Sequence, residues 1–528
     1  MKKTIYSIAA SSAVIIACYA RGAEADITAK IDPGKTFQTI DGFAASDAWS
    51  GNFIGKFFAE DKKEKLAKWL FSQKYGEDGS PEGIGLSTWR VNLGGGTWEQ
   101  EGADINPLQR RAESFLSKDG KSYDWSKAAG QQYFMKKAKE YGCESFLLFS
   151  NTPPVQMTQN GKGYKDAADY KSNLRADCYD DFAEYLAEAA EHFVKEGFNI
   201  KYISPINEPS WRWSTNAQEG CPYTNPEIKR LAVELDKSIQ KRNLPTKMLL
   251  IEATPLVRLY GYEYRDKANK TPDRDLPANQ IYAFFDPDSK DYIGYLKTLP
   301  RILTAHAYHT DEDNEMMVEK RKRLSEELKK YGVKFLESEW CLLPGVVCKD
   351  GMPQKNPSDM DIALLMAKLI HCDLTISESL GWGYWKAFEI DGSHALTGIS
   401  PKGGEITKGG EIFARKKLWV LGNYSFFIRP GWKRISLEGA NDLEKVFASA
   451  FASPDGKKIA IVAGNISYNM QNLKIALPEN MALNFRKASL YQTSESAALS
   501  NMFSREFSDN SGFALAPRSV STILIETE

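Results

Sequence analysis

The chain has 528 residues and a formal net charge of −1, with 42% hydrophobic and 12% aromatic residues. That length exceeds what one hydrophobic core requires and suits one large domain with a smaller one. The balanced charge leaves no electrostatic footprint for nucleic acid or an anionic membrane surface, so an uncharged partner fits better.

In chain order, the first predicted element is a segment to be removed. Lys2 and Lys3 precede the apolar run IYSIAASSAVIIAC, too short to span a bilayer and followed by small residues, which is the pattern of a secretory signal peptide over residues 1–25. Its loss removes Lys2, Lys3, Arg21 and Glu24 and takes the charge from −1 to −3. Cleavage after AEA at 23–25 is preferred over a lipoprotein-like reading of IIAC, which would leave a lipid anchor on Cys18. Either reading implies export, to the periplasm, the medium or a lipid-anchored place at the cell surface. No later apolar run is long enough to cross a membrane.

Residues 26–36, DITAKIDPGKT, are expected to give a strand to a side domain. Over 37–420, short apolar or aromatic runs alternate with amphipathic helical stretches. The strand candidates are QTIDGFAAS, LSTWRVNLG, SFLLFSNTP, IKYISPINE, KMLLIEATP, RILTAHAYH, KFLESEW and WGYWKAFE. Helical patterns such as EDKKEKLAKWLFSQ, YDDFAEYLAEAAEHFVKE and NEMMVEKRKRLSEELKKY separate most of them. Eight strand–helix units imply an α/β fold, a closed (β/α)8 TIM barrel. From 421 to 528 short strands and turn residues predict an all-β sandwich, completed by the N-terminal strand.

Six cysteines follow the signal segment, and their spacing matches no zinc pattern and no disulfide framework. Cys341 and Cys348 form the nearest pair for a bridge. With five dispersed histidines, no metal site and no cofactor is expected, and the chain is read as a monomer acting on a polysaccharide or oligosaccharide.

In such a barrel the C-terminal strand ends form the active site, so a polar residue closing an apolar strand is a functional candidate. Glu208 closes strand four, next to Asn207, and Glu339 closes strand seven. An isolated glutamate there commonly caps a helix or pairs with a base. Two converging carboxylates are instead the equipment for cleaving a glycosidic bond, one delivering a proton and the other ionised. Strand seven also carries Glu337, which regular alternation places on the same side as Glu339 and about 6.6 Å deeper, too far down to reach a sugar. It is read as structural, neutralised by Arg90 or Lys386.

The ordered set GFAASDAW, WRVNLGGG, SNTPPVQMTQNG, ISPINEP, AHAY and FLESEW resembles glycoside hydrolase family 30, from about residue 27 to the end. The resemblance implies a retaining β-glycosidase with Glu339 as nucleophile and Glu208 as acid and base. It gives Asn207 the hydroxyl beside the anomeric carbon, and Arg90 the task of holding Glu339 ionised. Asp47, Trp49, His306, Tyr308 and Trp385 would form a sugar-binding shell. Where many relatives have an aromatic in the PPxxMT loop, this chain has Gln156.

The loop WRWSTNAQEG after Glu208 brings Trp211 and Trp213 and resembles the branch acting on β-1,6-galactan, which implies an endo-β-1,6-galactanase. The alternatives are a β-1,6-glucanase, a xylanase, an exo-β-glycosidase, or a binding barrel that has lost catalysis. Retention of both glutamates argues against the last.

Overall fold

The computed structural model describes residues 26–262, 275–343, 349–350, 356–478 and 485–527. The segment expected to be a signal peptide, with Cys18, and Cys348 lie outside the described residues.

Parallel strands form a closed barrel: Gly42–Ser46, Thr88–Asn92, Ser145–Phe149, Ile200–Ser204, a fifth strand split into Lys247–Met248 and Leu250–Ala253, then Ile302–His306, Lys334–Trp340 and Gly381–Tyr384. Neighbours pair in parallel register all the way round, the first half of strand five on strand four and its second half on strand six. Runs such as SFLLF are buried at every position because one side faces the barrel interior and the other the helices. These eight strands are the ones expected.

The helix Asn225–Lys241 starts with a capping box between Thr224 and Glu227 and has proline in its first turn. The helix Asp359–Thr375 is likewise boxed by Ser358 and Asp361, but it is buried almost all round. It packs between the barrel and the side domain, which is why its sequence shows little amphipathic contrast. No helix among the described residues is long and apolar enough to cross a membrane.

The side domain is a nine-stranded sheet in which Ile27–Thr39 lies between Lys433–Glu438, antiparallel, and Gln471–Ala476, parallel. The sheet curls on a core that includes Ile31, Ile461, Leu473, Leu490, Phe513 and Ile523. Alternate residues, such as Ala460 and Val462, belong to the barrel-side core, so both faces of the central strands are apolar.

Two features depart from expectation. WGYWKAFE is two strands, because the chain leaves the barrel at Trp385 and Lys386–Ile390 enters a separate sheet with Ala395–Pro401 and Gly410–Ala414. Helices Ser50–Phe57, Gln280–Phe285 and Lys416–Ser425 were not anticipated. The first of these depends on glycine: a Cβ on Gly55 would lie 2.3 Å from the Gly130 carbonyl oxygen, and one on Gly130 would lie 1.9 Å from that of Asn52. Two helices cross backbone to backbone there, a contact that hydrophobic periodicity does not register.

Candidate active site

The C-terminal strand ends concentrate buried charge. Arg90, from strand two, donates from Nη1 to Glu339 Oε2 at 2.5 Å and from Nη2 to Asn207 Oδ1 at 3.2 Å, with Glu252 Oε1 3.5 Å away. Its guanidinium lies 3.8 Å from the centre of the Phe149 ring, which supplies a cation–π contact where water is excluded.

His306, from strand six, is fully buried and meets three carboxylates. Its Nδ1 lies 2.8 Å from Glu208 Oε1 and 3.3 Å from Glu339 Oε1, and its Nε2 lies 3.2 Å from Glu252 Oε2. Burial alone would lower its pKa, but Glu339, Glu208 and Glu252 raise it to about 10. The ring is therefore an imidazolium at neutral pH, donating from both nitrogens.

Glu339 also accepts from the Tyr308 hydroxyl at 3.0 Å. Burial raises its pKa above the usual carboxylate range, against the pull of His306 and Arg90. Glu208 takes the Thr254 hydroxyl on Oε1 at 2.8 Å, the same oxygen that faces His306. Oxygens of Glu208 and Glu339 lie within 4.8 Å of each other. With His306 they form a set that could in principle ligate a metal ion. Both imidazole nitrogens are already engaged with carboxylates, however, and a guanidinium sits on Glu339, so the cationic positions are filled by side chains.

Glu252 closes strand five and was missed. It bridges Arg90, His306 and the Ser338 hydroxyl from a fully buried position. Burial would raise its pKa, but Arg90 and His306 bring it down to about 2. The signal was in the sequence, since KMLLIEATP has an acid near the end of an apolar strand like the two that were chosen. Glu252 and Glu208 both adopt left-handed backbone, at φ 52° and 47°, and the Glu208 N–H donates to the Glu252 carbonyl at 3.0 Å. Such conformations in non-glycine residues concentrate at functional sites.

Asn207, Glu208, Trp49, Trp211, Trp213, Tyr308, Glu339 and Trp385 line one cleft. Trp385 stands edge-on to Trp49 at 5.3 Å and 89°. Arg110 and Lys386 lie 4.5 Å and 4.6 Å from the Trp49 ring centre, and neither cation was anticipated in the cleft wall. Trp213 donates its indole N–H to the Glu208 carbonyl at 3.1 Å and packs flat on Gly220, where a Cβ would fall 2.2 Å from the ring. Trp211 is 41% exposed.

Asp47, Arg90 and His306 do not line the cleft. Asp47 is fully buried and accepts from the Asn92 N–H and the Gln131 amide, each at 2.9 Å; burial lifts its pKa to about 7. Asp47 and His306 brace the strand ends. Gln156 lies away from the cleft wall and donates to the Ser117 carbonyl at 3.3 Å.

The reading of Glu337 needs correction. It does not stack beneath Glu339, because the register slips between the two residues. Its carboxyl is buried among the charges of Asp373, His306 and Arg321. Arg90 and Lys386, its expected partners, are bonded to Glu339 and to Glu389.

Residues 26–395 match the sequence family described as O-Glycosyl hydrolase family 30. The chain is 29% identical over 251 residues to a protein of Hypocrea rufa named endo-beta-1,6-galactanase, a match covering 43% of this chain and 50% of that protein, so it spans about half the relative's length. A Bacteroides fragilis structure described as a conserved exported protein superposes with a TM-score of 0.85 and 34% identity over 94% of this chain and 100% of the other. The catalytic domain of xylanase C from Talaromyces cellulolyticus shares the fold with a TM-score of 0.64 and 19% identity, covering 95% of this chain and 100% of that one. The chain belongs to glycoside hydrolase family 30.

Proposed function

We propose that the protein is an exported, retaining endo-β-1,6-galactanase working by double displacement, with Glu339 as nucleophile and Glu208 as acid and base. The observation that carries this is the carboxylate pair within 4.8 Å, held unequally. An inverting pair needs about 6.5–9.5 Å to admit a water, whereas a retaining pair sits at about 5–5.5 Å.

Glu339 is gripped through both oxygens, by Arg90 and Tyr308, which aims it and favours its ionised form. Its oxygen attacks the anomeric carbon as the bond to the leaving oxygen breaks, and Glu208 gives that oxygen its proton. Both side-chain hydrogen bonds to Glu208 fall on Oε1, which leaves Oε2 for this transfer. Water then attacks the glycosyl ester, returns a proton to Glu208 and releases Glu339 with the original anomeric configuration. The negative charge passes from Glu339 to Glu208 and back. His306, 3.3 Å from one and 2.8 Å from the other, is a fixed countercharge for both half-reactions.

Two features support the galactan reading: the Trp211–Gly220 loop, which walls the cleft beside Glu208, and the similarity to a protein named as a β-1,6-galactanase. The test is incubation with de-arabinosylated β-1,6-galactan, with NMR of the first product and chromatography of early products. A β-anomer first and a mixture of short galacto-oligosaccharides are expected. An α-anomer first overturns the retaining assignment, galactose alone from the first minutes overturns internal cutting, and activity only on β-1,6-glucan or β-xylan moves the specificity to that polymer.

A further inference from the structure

Strand seven is irregular where its two glutamates lie. Ala305 pairs with Glu337, yet the next residue, His306, pairs with Glu339; on the other side Trp382 pairs with Glu337 and Tyr384 with Trp340. The extra residue makes a β-bulge, which re-aims side chains and leaves backbone groups without regular ladder partners. As a result Ser338 and Glu339 both reach inward, one to Glu252 and the other to Arg90, while Glu337 lies among the charges of Asp373, His306 and Arg321.

Side chains satisfy the backbone at this bulge. Ser379 Oγ accepts from the Glu337 N–H at 2.9 Å. Glu337 Oε1 accepts from the Glu339 N–H at 3.3 Å and from the Ala307 N–H at 3.0 Å, the latter shared with the Glu339 carbonyl at 3.3 Å. Ala307 lies between His306 and Tyr308, so one oxygen touches the backbone that presents Glu339 and Tyr308 to the cleft and His306 behind them. Glu337 is fully buried, and Arg321 behind it is committed to Asp373 at 2.6 Å. Burial and the neighbouring Asp373 hold Glu337 well above the usual carboxylate range, as an uncharged acid whose carbonyl oxygen remains an acceptor.

We propose that Glu337 is a positioning residue: its side-chain oxygen clamps the bulge N–H groups of Glu339 and Ala307, and so sets the angle at which Glu339 and Tyr308 enter the cleft and at which His306 meets them from behind. Its chemistry is that of an acceptor held in place, so an amide of the same shape can replace it and an alkyl group cannot.

Two substitutions test this. Glu337→Leu keeps the bulk and removes the acceptor; Glu337→Gln keeps the carbonyl. On a β-glycan that the wild type cleaves, Glu337→Leu is expected to lower kcat about 10- to 100-fold with KM nearly unchanged, and Glu337→Gln to stay within about three-fold of wild type. A second arm needs no substrate and separates this proposal from the glycosidase reading, which alone fails if no glycan is cleaved. In hydrogen–deuterium exchange, peptides covering 303–310 and 335–341 should exchange faster in Glu337→Leu and at the wild-type rate in Glu337→Gln. Wild-type exchange in a folded Leu variant overturns the proposal, as does a Gln variant that is folded but as impaired as the Leu variant. Should the Leu variant fail to fold, the Gln variant decides: wild-type exchange and kcat support the clamp, and loss of either overturns it.

Discussion

Two buried histidines mark opposite electrostatic regimes in this molecule. His306, among Glu339, Glu208 and Glu252, has its pKa raised to about 10. His371 lies on the helix between barrel and side sheet, against the Phe447 ring at 4.8 Å, with its Nε2 3.1 Å from Asn441 Oδ1. Its pKa is lowered to about 4, chiefly by burial and further by Arg434. Burial pushes both rings toward the neutral form, and the carboxylates around His306 reverse that push, so the difference between the two lies in the carboxylates. The strand ends keep a positive charge because three acids surround His306, whereas the interface ring is met by Asn441 and Arg434 and stays neutral.

The comparison can be broken hardest at Glu339. Glu339→Ala should reduce turnover on every substrate by about 10⁵-fold or more, and NMR of the imidazole should show a lower pKa for His306. Glu208→Ala should retain much more activity on aryl glycosides whose leaving groups need little protonation. Equal collapse of both variants on such substrates would mean that the two acids do not divide the work.

A smaller effect comes from the cation itself. His306→Phe leaves three carboxylates facing one another, which should cost about 3–5 kcal/mol in urea unfolding at pH 7 and lower kcat by about 10²-fold or more. In the wild type the folded pKa lies above the unfolded 6.5, so the contribution of His306 is complete below pH 6.5 and disappears as pH rises toward 10. Flat stability between pH 7 and 10, after the same measurement on the variant is subtracted, would remove the imidazolium from the account.

The smallest effect sharpens the other side. His371 is depressed from 6.5 to about 4, so the unfolded chain binds its proton first, and stability is lost as pH falls from 6.5 through 4. Unfolding measured at pH 7 and pH 4 should show wild type losing about 3 kcal/mol more than His371→Leu. An equal loss in both would show that the ring is solvated at low pH.

The barrel was legible because each strand is a short run buried on both sides and each long helix carries its own periodicity. Glu208 and Glu339 were legible because an acid closing such a run has no packing reason to be there. The same reasoning reached Glu252 in principle and was not applied to it. What alternation could not show was the bulge: it places Glu337 and Glu339 on one side, and the slipped register separates them. Nor does composition show which neighbours Asp47 and His306 bond, since that depends on which strand ends meet.

The strand Ile27–Thr39 has partners that begin only at Lys433 and Gln471. During synthesis it therefore waits, unpaired, while the whole barrel is made, and the side domain closes over the first strand only when the last segments arrive. The entropy of so long a closure is modest, since each doubling of a loop adds only about 0.6 kcal/mol. The delay is the larger consequence: non-local pairing makes completion of this sheet a late event in folding. A chain interrupted between the barrel and Lys433 keeps its cleft residues but lacks both strands that flank the first, so the sheet registers whether translation has passed the barrel.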